Sequence, residues 1–340
     1  MTNTNSALHK TLNQVIGAER AERLFQVLVI PRGILNEIGD TISRAGIAQA
    51  LNMLLFEDLL KRVPDARAYA DDCLREDRKV MHDHGAVRTV ALCGMGQIPA
   101  GEEAITRILR PLGYNLNGTY PLERLKMTGR SHAQAEYPEE LAQFFISELH
   151  VDRFSPDFQA AVARITSTSR DPLTPEAKSL LAELDQKRAL PIDKAAKLLP
   201  ILARVFERQH DDPAVGDYEI LLKESPEMAW ISTEGNAFNH ATDRVADVDQ
   251  LAAELKALGV SMKDAVETSQ SRRVRQTATR AAMVQRTFRT PDGTIQKEVP
   301  GSFYEFITRL PNPEQNNALD LSFDSSNAQA IFKMTANAKS

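Results

Sequence analysis

The chain has 340 residues, 42% of them hydrophobic and 26% charged, with a formal net charge of -5, so it can bury one large core or two. That acidic balance, with only 6% aromatic residues and Trp230 as the single tryptophan, excludes a basic, base-stacking nucleic-acid surface. The opening Met1-Thr2-Asn3-Thr4-Asn5-Ser6 lacks a signal pattern, no apolar run has membrane-spanning length, and Cys73 and Cys93 form no framework, so a cytoplasmic protein without nucleic-acid or membrane partners is expected.

Residues 1–78 are predicted to form helices that pack on the core. Leu8, Leu12, Val15 and Ile16 recur at helical spacing, and a second stripe runs through Ile47, Leu51, Leu54, Leu55 and Leu59. Residues 79–152 are predicted to be a first strand-rich module. Its opening strand, Ala86 to Leu92, leads to a helix over 101–112 and strands over 115–125, 131–137 and 144–149, a β-α-β-β-β order. Gly94-Met95-Gly96 with Gly101 does not have the G-x-G-x-x-G spacing of a dinucleotide loop. Residues 153–228 are predicted to be a helical insertion, with Thr174 capping the helix that starts at Pro175 and His210 at a solvated helix end. A second strand-rich module is expected over 229–310, beginning with a strand at Trp230-Ile231-Ser232-Thr233. It continues through a helix over 248–258, a turn at Thr290-Pro291-Asp292-Gly293 and a last strand over 302–308. Residues 311–340 are polar and Asn-rich, and are expected to form a covering C-terminal tail.

Three places in this pattern are costly for a merely structural chain. A strand turns alternate residues to one face, so His84, Ala86 and Arg88 look the same way. A histidine and an arginine facing an interior need a metal, a carboxylate or an anion; an exposed pair at a strand start is the plainer alternative. His82 shares that face and is expected at the strand entrance. His240 opens the second strand-rich half much as His84 opens the first. Glu305 lies mid-strand with Phe303 and Ile307 on its own face, and is either paired or a metal ligand. Two histidines and one carboxylate are the donor set that leaves open positions on Fe(II) or a similar ion. Arg88 would then hold a second carboxylate of an anionic substrate, unless it pairs with a protein carboxylate such as Glu148.

His-x-x-x-Arg at His84 and Arg88 resembles the first motif of the 2-oxoadipate dioxygenase/decarboxylase family, the hydroxyglutarate synthases. Ile146-Ser147-Glu148-Leu149, Asn239-His240 with Thr242 and Arg244, and Pro300-Gly301-Ser302 leading to Glu305 match in the same order. The resemblance covers roughly residues 80–310, with Ala241 and Asp243 departing from the pattern. It implies an α+β fold whose core of paired β-α-β-β-β modules, vicinal-oxygen-chelate-like, forms a half-open barrel with added helices. It also implies Fe(II) held by His84, His240 and Glu305, with Arg88 binding substrate and Gln276 facing it. The implied reaction joins a 2-oxo dicarboxylic acid and dioxygen, releasing CO2 and leaving the shortened 2-hydroxy acid; from 2-oxoadipate this is 2-hydroxyglutarate. Two other functions remain open on the residues alone: a glyoxalase-like isomerase or lyase using a redox-inert metal, and a non-catalytic, metal-dependent dicarboxylate-binding protein. Neither G-x-S-x-G nor H-E-x-x-H occurs.

Overall fold

The computed structural model describes residues 5–324. The chain opens with α1 (Ala7–Ile16), α2 (Ala18–Val27) and the single turn α3 (Arg32–Leu35); the short strand β1 (Thr41–Ser43) then leads into α4 (Arg44–Arg62) and α5 (Pro64–Arg75). The longest of these, α4, starts where the Ser43 hydroxyl accepts from the Gly46 N–H, and most of its residues are buried, so it forms the spine of the helical layer. Pro64 starts α5 at its first turn, where a missing N–H costs nothing.

The first module runs β2 (His82–Ala91), α6 (Glu103–Leu109), β3 (Tyr114–Leu122), β4 (Met127–Gln134) and β5 (Gln143–His150). Next come α7 (Pro156–Thr166), α8 (Pro175–Lys187), the short β6 (Ala189–Pro191), α9 (Ile192–Arg204), α10 (Val215–Glu224) and α11 (Pro226–Glu234). Thr174 caps α8 as expected, and β6 pairs with β1, fastening this helical stretch to the N-terminal helices. The second module runs β7 (His240–Arg244), α12 (Val248–Ala257), β8 (Glu267–Thr268), β9 (Val274–Ala278), the hairpin β10 (Met283–Thr290) with β11 (Gly293–Pro300), and β12 (Phe303–Arg309). A small pair, β13 (Pro311–Asn312) and β14 (Ala318–Leu319), follows. No helix among the described residues is long and apolar enough to cross a membrane.

The two modules join into one eight-stranded sheet in the order β3-β4-β5-β2-β7-β12-β9-β8. The first strands of the modules, β2 and β7, pair antiparallel at its centre, and each pairs in parallel with the last strand of its own module, β5 or β12. The sheet curls into the half-open barrel that the resemblance implied. Its convex face carries Val87, Ile146, Ala241, Tyr304 and Phe306, packed into the core formed by the N-terminal and insertion helices. Its concave face carries Val90, Leu149 and Phe303, closed at one end by Phe158, Trp230 and Phe288 from α7, α11 and β10. Central strands buried on both faces read as continuous apolar runs, and all seven residues of β12 are buried.

Three expectations are corrected. Trp230-Ile231-Ser232-Thr233 lies in α11, not in a strand: the Ser225 hydroxyl accepts from Met228 N–H and Pro226 occupies the first turn. Every residue from Glu227 to Glu234 is buried, which removes the one-sided pattern that marks a helix in sequence. His210 is buried rather than solvated, held between the carbonyls of Asp211 and Ile231. His82 does not share the face of His84. A register shift separates the two, and His82 packs against Phe56 and Phe238 on the helical side, where burial pushes its pKa down to about 3.

Candidate metal centre

Strand register explains why three distant residues meet. His84 stands opposite Thr242 on β7, and Thr242 stands opposite Glu305 on β12. These three therefore share one rung across the centre of the sheet, on the concave face. His240 lies one rung away, opposite Ala86 and Phe303, two residues from Thr242 and so on the same face. His84 Nε2 and His240 Nε2 are 3.3 Å apart, and Glu305 Oε2 lies 3.3 Å from the first and 3.1 Å from the second. Suitable donor atoms of all three residues lie within 4.8 Å of one another, and all three residues are buried.

Three lone-pair donors this close repel one another unless positive charge, as protons or a cation, lies between them. The titration of the group shows that competition. Burial works against a charged His84, but its hydrogen bonds to the Asp83 and Glu305 carboxylates outweigh it and raise its pKa. Burial lowers His240, helped by the charges of His84 and Arg88. Glu305 is held well below the ordinary carboxylate range because the two histidines overcome its burial. Its second oxygen, Oε1, is buried without a hydrogen-bond partner among the described residues, a costly state for a carboxylate unless a cation takes that lone pair. The surroundings fit a metal as well. Asp83 Oδ1 accepts from His84 Nδ1 at 2.9 Å, which leaves Nε2 as the free lone pair. The Asn239 amide stands 3.1 Å from His240 Nδ1 while its own carbonyl oxygen lacks a partner among the described residues. A half-turn of that amide lets the carbonyl accept from Nδ1–H and frees His240 Nε2 in the same way.

The centre forms part of the wall of a small cleft. Gln276 lines it, with Ala86, Phe145 and Ser147 from β2 and β5 and Phe323 and Asp324 from the segment after β14. Arg88 is not among the lining residues. It lies one pleat beyond Ala86, opposite Ser147, fully buried, with its guanidinium 4.7 Å over the Trp230 ring. Burial pushes its pKa down to about 10, opposed by the charge of Glu227. Glu148 is engaged elsewhere, accepting from Glu102 N–H and pairing with Arg130.

Two features of the centre escaped the sequence reading. One is Asp83, fully buried, which binds Arg244 Nε at 2.7 Å and both Nε and Nη2 of Arg309 at about 3.0 Å besides His84. The other is a repeat: His84 to Arg88 and His240 to Arg244 are both His-x-x-x-Arg, each on the first strand of its module. The parallel ladders extend this equivalence. Phe145 faces Ala86 as Glu305 faces Thr242, so the first module carries a phenyl ring where the second carries its carboxylate. The donor set is thereby three-sided, and its open side lies toward Phe145.

The family model of 2-oxoadipate dioxygenase/decarboxylase matches residues 53–330. A 2-oxoadipate dioxygenase/decarboxylase from Arabidopsis thaliana is 23% identical over 293 residues, 76% of this chain and 69% of the plant protein. A crystal structure from Ralstonia eutropha JMP134, described as a glyoxalase superfamily protein, is 52% identical with a TM-score of 0.89, covering 94% of this chain and 98% of that one. The hydroxyglutarate synthase of Oryza sativa, solved with 2-oxoadipate, shares the fold at 20% identity and a TM-score of 0.67, over 92% of this chain and 96% of its own. The chain belongs to the 2-oxoadipate dioxygenase/decarboxylase family of enzymes.

Proposed function

We propose that this chain converts a 2-oxo dicarboxylic acid, 2-oxoadipate, and dioxygen to 2-hydroxyglutarate and CO2, using Fe(II) held by His84 Nε2, His240 Nε2 and Glu305. The observation that carries the proposal is the convergence of those three donors, with Glu305 Oε1 buried and unpartnered among the described residues. Bound Fe(II) supplies the one-electron chemistry that lets a closed-shell acid react with dioxygen. The overall reaction balances with one dioxygen per acid, and no further reductant is needed.

The residues of the chain orient and enclose. Asp83 and Asn239 fix the two imidazoles, and Thr242, whose hydroxyl donates to Glu305 Oε2 at 2.9 Å, fixes the carboxylate. Gln276 offers an amide to the oxo acid on the wall of the cleft. Arg88, buried one pleat beyond Ala86 and outside the lining of the cleft, is assigned the carboxylate remote from the metal, because a guanidinium in a dry setting binds an anion strongly. Phe145 keeps the open side of the centre apolar, which excludes water from the reacting groups. Both cysteines are free, in keeping with a reducing, cytoplasmic setting.

The test is anaerobic loading with Fe(II), then addition of 2-oxo acids of graded length with oxygen uptake recorded. Uptake of one dioxygen per acid, with release of CO2, is expected, fastest for 2-oxoadipate. Turnover without oxygen consumption would assign the chain to isomerase or lyase chemistry, and tight binding without conversion in air would make it a binding protein. Alanine at His84, His240 or Glu305 is expected to abolish stoichiometric iron binding.

A further inference from the structure

After β14 the chain does not leave the molecule; it returns across the mouth of the cleft. Residues 318–324 span both modules. Leu319 N–H donates to Glu139 in the loop before β5, and the Leu321 carbonyl accepts from Asn117 of β3 and Gln143 of β5. Phe323 N–H donates to Tyr120 Oη at 3.1 Å. At the far side, Asp324 accepts from Gln270 N–H in the loop before β9. This strap puts the Phe323 ring 4.8 Å from the His84 ring, edge to face, and 4.9 Å from Phe145, over the open side of the donor set.

One residue ties strap and centre together. Arg309, at the end of β12, is buried and divides its guanidinium between two tasks. Nε and Nη2 bind Asp83, the carboxylate that holds His84 Nδ1. Nη1 donates to the Asp320 and Ser322 carbonyls at 2.8 Å each, and the Phe323 ring stacks 4.9 Å from the Arg309 guanidinium. The planar fork suits this: one face of donors meets a carboxylate while another meets two carbonyls. A strap of seven residues with few apolar anchors belongs to the low-stability end of a fold, where local opening is cheap.

We propose that Arg309 is a positioning residue for the reaction, latching the strap 318–324 as the removable cover of the metal centre, with Phe323 as the residue that blocks passage. Metal and oxo acid enter when the two carbonyl bonds to Arg309 break and the strap lifts. The strap then recloses over the open side and restores the support of His84 through Asp83. The proposal rests on the metal-binding reading given above, but its test does not depend on catalysis.

The test uses the full chain loaded with Co(II), whose visible absorption reports occupancy, and follows stripping by excess EDTA. Phe323→Ala removes the blocking ring from a site whose backbone bonds stay in place. It is expected to speed stripping about tenfold, which corresponds to loss of a barrier contribution of about 1.4 kcal/mol, while equilibrium Co(II) affinity stays within about threefold. Arg309→Lys keeps a charge beside Asp83 but loses the fork. It is expected to speed stripping as much and, unlike Phe323→Ala, to weaken equilibrium affinity as well, because His84 loses its steady support. Wild-type stripping rates in both variants would overturn the cover. Faster stripping with unchanged affinity in Arg309→Lys would overturn the positioning role of Arg309. If Co(II) fails to bind the wild-type chain, the metal reading falls and the cover is decided by amide exchange at Leu319, Ser322 and Phe323 in the apo protein. Exchange that rises in Arg309→Lys retains the strap as a latched cover, and unchanged exchange in that variant refutes it.

Discussion

Asp243 shows how a single side chain can carry a pH dependence unrelated to the chemistry. It is buried on the helical side of β7, where it accepts from Tyr69 Oη at 2.7 Å and Met81 N–H at 2.8 Å. Burial pushes its pKa up to about 7 in spite of those bonds, whereas an unfolded chain releases the proton near pH ~4. Between those values the folded state holds the extra proton, so stability falls as pH rises, by at most about 1.4 kcal/mol per pH unit. Outside that window the slope from this group vanishes. Asp243→Asn is therefore expected to flatten the fall in urea midpoint between pH 5 and pH 7, and parallel slopes in the two proteins would show that Asp243 does not titrate in this range. Arg88 gives a sharper test. Removing one partner of a desolvated charge pair costs about 3–5 kcal/mol, or roughly a hundred- to a few-thousand-fold. Arg88→Ala is expected to lose that much kcat/KM on 2-oxoadipate and much less on a monocarboxylic oxo acid of similar length. An unchanged ratio of the two, with a lower melting temperature, would leave Arg88 a structural role. The donor residues themselves were legible because each violates the apolar pattern of its own strand. Asp83 was not, since its partners Arg244 and Arg309 lie more than 150 positions away. The Arg244 member of the repeated His-x-x-x-Arg motif was in plain view, yet only the matched strand ladders show that the spacing has a structural meaning.

Among the elements, β2 is held in place by a residue with no side chain. A Cβ on Gly85 would stand 2.2 Å from the Phe238 ring, so the ring of Phe238 occupies the space that any other residue would need. Gly85 lies between His84 and Ala86, on the convex face, and opposite Ala241 in the β2–β7 pairing. Overpacking of this kind costs about 1–3 kcal/mol. Gly85→Ala is expected to lower the urea midpoint by that amount and to weaken metal binding, because β2 must shift against β7 and carry His84 with it. Loss of stability with undiminished metal affinity would mean that the strand yields elsewhere. The same elements mark how far periodicity can be read. The hairpin β10–β11 was predictable from Pro291-Asp292-Gly293, whose turn residues agree with the alternating strands beside them. Helix α11 was not, because Trp, Ile and Thr favour strands and its surroundings bury it on all sides. The two-residue strand β8 and the ladder of β1 with β6 are set by tertiary neighbours, and no local pattern announces them.

At the scale of the whole molecule, the donor set straddles the seam between two modules. A cation there binds only the assembled barrel, so it stabilises the fold in proportion to its occupancy. At a hundredfold excess over Kd this amounts to about 2.7 kcal/mol, or several degrees in melting temperature at roughly 2–4 °C per kcal/mol. The shift should grow with metal concentration and disappear in Glu305→Ala, and a shift that survives that substitution would place the binding elsewhere. The paired modules were legible as a repeated order of strands and helix, whereas the strap that closes them depends on carbonyls and a guanidinium that no composition reveals. On the metal-binding proposal, the seam also governs when the chain can acquire its ion during biosynthesis. A nascent chain that has emerged through β2 offers only His84 of the three donors; His240 arrives 156 residues later and the carboxylate 63 positions after Thr242. Until β12 has been translated and docked, the ribosome holds a chain with no competent chelate. On the metal-binding proposal, insertion of the ion is therefore an event of the completed fold.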